Sequence, residues 1–111
     1  MITAIILCAN LLKATLWHPI TFSVYSPSLH GSKLASRGFY DRNKMTCASN
    51  DHKLYTILEI KNGTRTCTVT VRDRMAKRFT GKRIDLSSAA MRKLGMKYGL
   101  LKGQYRVVST P

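Results

Sequence analysis

A chain of 111 residues with 44% apolar content is one domain long and can bury a modest core without help. Nineteen Lys and Arg against five Asp and Glu give a formal net charge of +14. That excess predicts attraction to a polyanion (nucleic acid, an anionic membrane or an anionic cell-wall polymer), the alternative being a basic surface with no dedicated partner. Three cysteines, Cys8, Cys47 and Cys67, without a C-x-x-C pair argue against a zinc site, so neither metal nor cofactor is expected.

The chain opens on "MITAIILCANLL", too short for the roughly 20 apolar residues of a membrane span but of the length of a signal-peptide hydrophobic region. No Lys or Arg precedes it and no A-x-A site follows. Residues 1–20 are therefore expected either as a signal segment, which makes the protein periplasmic or secreted, or as a hydrophobic strand or helix of the mature fold. Cys47 and Cys67 then either pair as one disulfide after export or remain as buried thiols.

Alternation predicts a strand over Thr21–Tyr25, then a turn-rich "SPSLHGSK", then loop with short extended pieces over residues 34–53. "LYTILEI" (Leu54–Ile60) and "TRTCTVTVR" (Thr64–Arg72) read as strands joined by a hairpin at Asn62-Gly63, where positive φ is expected at both turn positions. A basic loop over residues 74–82 ends at Gly81 and leads into a short strand, "RIDL". "SSAAMRKLG" reads as a helix capped by Ser87 and closed by Gly95, and Gly103–Ser109 as the last strand. Short strands with one small helix predict a mainly β fold, a small barrel rather than a βαβ sheet.

Three motifs carry a family resemblance: "MTCAS" (Met45–Ser49), "VRDR" (Val71–Arg74) and "GKRIDLSSAAMRKLG" (Gly81–Gly95). In this order, over roughly residues 21–109, they resemble the RlpA (rare lipoprotein A) family. The resemblance implies a six-stranded double-psi β-barrel with one short helix beginning near Ser87, occupying residues 21–111. It also implies a lytic transglycosylase acting on peptidoglycan glycan strands, as a monomer, with no specific nucleic acid partner and no stable membrane span. The same barrel occurs in expansin-like proteins and some endoglucanases, so fold alone does not give activity. The chain departs from the family where Gly38 replaces a Glu, Ser49 replaces a His, and Met75-Ala76 replaces Gly-Pro.

Cleavage of this kind can use one carboxyl, which protonates the departing glycosidic oxygen and then takes the proton of the sugar's 6-hydroxyl. Asp73 is the first candidate and Asp41, the nearest acid to the missing Glu, the second. Arg72 and Arg74 flank Asp73 in sequence; on a strand they point to the opposite face, so Asp73 is expected in the groove and the arginines in solvent. Asp85 either lines the substrate groove or supports the helix cap, a role worth about 1 kcal/mol. Ser49 either bonds the substrate or is buried and satisfied by backbone, and His52 either replaces the family's His or sits in an exposed loop. Arg74 and Phe79 belong to the basic stretch "RMAKRFTGKR", read as a sugar-stacking wall, as a surface for single-stranded nucleic acid, or as a solvated loop. Three functions remain open: a peptidoglycan lytic transglycosylase, a glycan-binding barrel without activity, and a basic nucleic-acid-binding or effector barrel.

Overall fold

In the computed structural model, which describes residues 16–111, six strands close into a barrel. They are β1 (His18–Val24), β2 (Thr46–Ala48), β3 (Ile57–Asn62), β4 (Arg65–Asp73), β5 (Arg83–Leu86) and β6 (Leu101–Ser109), with one helix, α1 (Ser88–Lys93). Around the barrel the order is β1-β5-β2-β4-β3-β6. Two pairs, β1 with β5 and β2 with β4, run parallel; the rest are antiparallel. The interior follows from the pleat, in which alternate residues face opposite sides. Phe22 on β1, Leu58 and Ile60 on β3, Val69 and Val71 on β4, and Ile84 and Leu86 on β5 are buried together. Ala90 and Met91 of α1, and Leu94 at its C-cap, are buried in the same core. Alternation leaves Ser23, Arg72, Arg83 and Asp85 on the outer face, and a β-bulge where Ala48 pairs with Asp73 instead of Arg72 brings Asp73 into line with them.

Burying every strand's inner face demands close approach at one place. Gly103 on β6 pairs with Ile20, and the Phe22 ring lies directly over it. A Cβ there would stand 2.5 Å from the Lys61 carbonyl oxygen and 2.7 Å from that ring.

The helix ends follow the predicted chemistry. Ser87 accepts from Ala90 N at 3.2 Å, and Gly95, at φ 91°, closes the helix in a Schellman arrangement, with Gly95 N donating to Arg92 O and Met96 N to Met91 O. Asn62 adds a bond from its side-chain amide to Leu94 O at 2.9 Å.

Several boundaries differ from the sequence expectation, each for a local reason. β1 starts at His18 rather than Thr21, because His18, Pro19 and Ile20 already pair with β6. The strand expected from Leu54 begins at Ile57: Tyr55 takes φ 71°, which turns the chain, while its N–H donates to Val71 O at 2.7 Å. The hairpin turn is shifted by one residue. Asn62 is still paired, with Arg65, and the turn is Gly63-Thr64 with positive φ at Gly63 alone, the pattern of a type II′ rather than a type I′ turn.

Cys47 and Cys67 are free thiols. Cys47 stands opposite Val71 on β4, four residues along from Cys67, so about 13 Å of strand separates the positions and a disulfide cannot bridge them. Burial pushes both thiols up, Cys67 to about 11. The expected signal segment falls mainly outside the described residues. Among the described residues no helix is long and apolar enough to cross a membrane.

Candidate functional site

Strand register brings together what the sequence keeps apart. Ala48 on β2 is the partner of Asp73 on β4 and also of Asp85 on β5, and Asp85 is in turn the partner of Ser23 on β1. Asp73, Ala48, Asp85 and Ser23 therefore form one row across four adjacent strands on the outer face. Two interstrand steps put the aspartate backbones roughly 10 Å apart. Ala48, the small residue between them, is covered by the Tyr25 ring, which stacks on Tyr40 with centroids 4.3 Å apart.

The two carboxylates are held differently. Asp73 accepts one bond on each oxygen, from Tyr25 Oη at 2.8 Å and from Ala35 N at 2.9 Å. The second bond anchors a small hairpin, residues 31–40, which is closed by Gly31 N donating to Tyr40 O and Leu34 N to Gly38 O. Asp85 accepts from Ser23 Oγ at 2.9 Å, and its other oxygen has no hydrogen bond to a described residue. Burial raises the Asp85 pKa; the Ser23 bond opposes this, Asp73 reinforces it and Arg83 opposes it. Burial and then the bond to Asp73 push the Tyr25 hydroxyl upward as well, so it remains a donor. The row thus holds one fully engaged carboxylate and one carboxyl able to carry a proton nearer neutrality than an ordinary aspartate.

The flanking arginines are salt-bridged to neither aspartate; among the described residues the ion pair is Glu59–Arg106. Arg72 donates to Ser36 Oγ at 2.7 Å and Arg37 O at 3.1 Å, and stacks on the Tyr55 ring. Arg74 donates to the carbonyls of Ser49 and His52, both at 2.6 Å. Arg74 is exposed as expected and Arg72 is half-buried, and each pins a loop. Arg74 in particular is committed to the 49–52 turn rather than to a ligand.

The other sequence candidates separate in the same way. Ser49 is fully buried, accepts from Asp51 N at 3.1 Å and shares a 3.0 Å hydrogen bond with His52 Nδ1, so its hydroxyl is out of a ligand's reach. Asp41 is spent on an Asx turn, accepting from Asn43 N at 2.9 Å. Phe79 carries two guanidiniums, Arg78 and Arg83, each 4.5 Å from its centroid, in place of the open face expected for sugar stacking. Asp85 is not the helix cap, because Ser87 is; it stands on the outer face, bonded to Ser23. Tyr25, Tyr40 and Ser23 were missed. The alternation "TFSVY" held a clue to Ser23 and Tyr25, which fall two apart on one face, but nothing local ties Tyr25 to Asp73, 48 residues away.

His52 packs edge-on to Tyr105 and is half-buried. Burial lowers its pKa from 6.5; Asp51 opposes this, while Arg74 and His18 lower it further. The unfolded chain then takes up its proton first, so stability is present above 6.5 and is lost as pH falls towards the lower folded value. Urea midpoints are expected to drop between about pH 7 and pH 5. In His52→Gln that slope should be shallower; an unchanged slope would assign the pH effect elsewhere.

A closed six-stranded barrel with two parallel pairs, one short helix and its polar row on the outer face is a double-psi β-barrel. No protein-family model matches the chain, and no curated protein matches it. Among solved structures it is similar to an expansin of Clavibacter michiganensis. An aspartate-to-asparagine mutant of that protein in complex with cellohexaose superposes with a TM-score of 0.66 at 21% identity, covering 86% of this chain and 52% of that one. The apo form gives 0.65 at 22% identity with the same coverage. The chain thus spans about half the length of these structures, and the likeness is one of fold.

Proposed function

We propose that this barrel binds a cell-wall polysaccharide along the outer face that carries Asp73, Ala48, Asp85 and Ser23. The observation behind this reading is the row itself: two carboxylates and a serine hydroxyl side by side on one face, with one Asp85 oxygen bonded to no described residue and so open to a sugar hydroxyl. The expansin with the same fold was crystallised with a glucan hexamer, which supports a glycan as the class of ligand. Calorimetric titration with cellohexaose and with peptide-free peptidoglycan strands tests the reading. Saturable binding of either, weakened by Asp85→Ala, is the expected result; no binding of either overturns it. The charge of +14 should make retention on anionic sacculi fall as salt rises.

A second reading, lytic cleavage of the glycan, is favoured by one observation: Asp85 is half-buried with one oxygen that has no described partner, a burial that raises its pKa. Protonated Asp85 would give its proton to the glycosidic oxygen as the C1–O bond breaks. The resulting carboxylate would take the 6-hydroxyl proton while that oxygen closes on C1. Asp73, with both oxygens engaged by Tyr25 and Ala35, is not the acid, so a two-carboxylate hydrolysis is not part of this reading. Anhydro ends in mass spectra of treated glycan strands would establish cleavage, and their absence leaves a binding module.

A further inference from the structure

A second feature lies on the same outer face, one step along the strands from the carboxylate row. Thr21 on β1 pairs with Arg83 on β5 and with Lys102 on β6, so Arg83, Thr21 and Lys102 form a rung of their own. On β5, Arg83 precedes Asp85 by two residues, which places the two side chains on one face about 7 Å apart. Around this rung is a cleft of about 540 Å³ in which Arg78, Lys82, Arg83 and Lys102 surround Phe79. Among the described residues, none that lines it is acidic. A shallower extension of about 270 Å³ continues from Lys82 and Lys102 past Gly81 to Pro19.

Four cations gathered in a lining with no carboxylate, Asp85 standing about 7 Å along β5 from Arg83, repel one another, and a solvated surface would let them splay apart. Two of them are instead fixed: the guanidiniums of Arg78 and Arg83 each stand 4.5 Å from the Phe79 centroid. The turn carrying Phe79 is itself tied to the barrel, with Asn50 Nδ2 donating to Ala76 O and to Thr80 Oγ1, both at 3.1 Å, and Gly81 N donating to Asp51 Oδ2 at 2.9 Å. The cleft is preorganised for an anion, and its extension gives it length.

The geometry points to an anion subsite in this cleft that receives the carboxylate or phosphate substituents of an acidic polysaccharide whose neutral parts lie on the Asp73–Ser23 row. This rests on the glycan-binding reading above and deepens it: the ligand is an anionic glycan rather than a neutral one. The two features are close enough for one chain to touch both. The carboxylates of the row would repel an anion placed directly on them, and the cleft is where that charge is compensated.

Affinities of the full chain for cellohexaose and for hexagalacturonate, at low and at high salt, test the assignment. Wild type is expected to bind hexagalacturonate about tenfold more tightly than cellohexaose at low salt, an advantage that shrinks as salt screens it. Lys82→Gln/Lys102→Gln, which changes two exposed side chains, should abolish that advantage and leave cellohexaose binding within about twofold. Equal affinity for the two hexasaccharides in wild type, or an advantage that survives the double substitution, overturns the subsite. Hexagalacturonate binding that depends on the two lysines while cellohexaose does not bind at all upholds the subsite and overturns the glycan row. A single-stranded oligothymidylate that binds more tightly than hexagalacturonate, through the same lysines, makes the cleft a nucleic-acid site and overturns the assignment.

Discussion

Gly103→Ala is expected to cost about 3 kcal/mol of stability, at the upper end of what overpacking a core usually costs. The added methyl would meet the Lys61 carbonyl oxygen at 2.5 Å and the Phe22 ring at 2.7 Å. The carbonyl belongs to β3, whose register with both β4 and β6 leaves it nowhere to go. The ring is fully buried beneath β6. Something in the closed barrel must shift, and every strand is hydrogen-bonded on both edges, so relief at one seam strains the next. For a domain of this size the cost corresponds to roughly 10–20 °C in Tm. Thermal unfolding by circular dichroism measures it directly. A Tm within about 2 °C of wild type would show that β6 can move away from Phe22.

Asp85→Asn should separate binding from chemistry. If glycan strands are cleaved, the variant should lose on the order of 10² to 10⁴ in rate, because an amide can neither give nor take the proton. Binding should change little, since the amide oxygen can still accept from Ser23. Stability should move in the direction opposite to that of a cap mutation. Burial raises the carboxyl's pKa above 3.8, so the native state holds its proton more tightly than the unfolded chain, and wild-type stability falls as pH rises from 3.8 through the raised value. Asn lacks that fall, and the variant is expected to be at least as stable as wild type at neutral pH. Chemical denaturation at acid and neutral pH, beside the anhydro-end assay, reads both effects. Full cleavage by the variant would remove Asp85 from the chemistry; a loss of stability confined to neutral pH would contradict the burial argument.

Local chemistry made much of the fold legible. The Val and Thr alternation of β4 and Ser87 and Gly95 at the helix ends each depend on residues within a few positions of one another, and each is where the pattern puts it, while the hairpin turn falls one residue later than Asn62-Gly63. β2 was harder to see, because three residues are too few for a period to emerge, and Thr46–Ala48 is a strand through its two neighbours rather than its own alternation. The site was legible only as a set of carboxylates. Asp73 and Asp85 could be picked out, but their roles depend on contacts made across the barrel. Ala35 and Tyr25 reach Asp73 from 38 and 48 residues away, and Ser23 reaches Asp85 from 62. The arginines beside Asp73 were expected in solvent, because strand alternation alone points them away from it. In the barrel they turn instead to backbone carbonyls that only the folded loops present.

Trp17 stands where the described chain enters β1, with Lys61 Nζ 4.3 Å and the Arg106 guanidinium 4.4 Å from its ring. It is the chain's one tryptophan. Lys61 is on β3 and Arg106 on β6, so the indole lies over the seam where those two strands meet the beginning of the barrel. The molecule therefore carries a built-in optical reporter at a single defined place. Its emission is expected to follow the β3–β6 seam rather than the carboxylate row, so a change in fluorescence with added glycan would report a mechanical link between row and seam, free of any signal from a second indole.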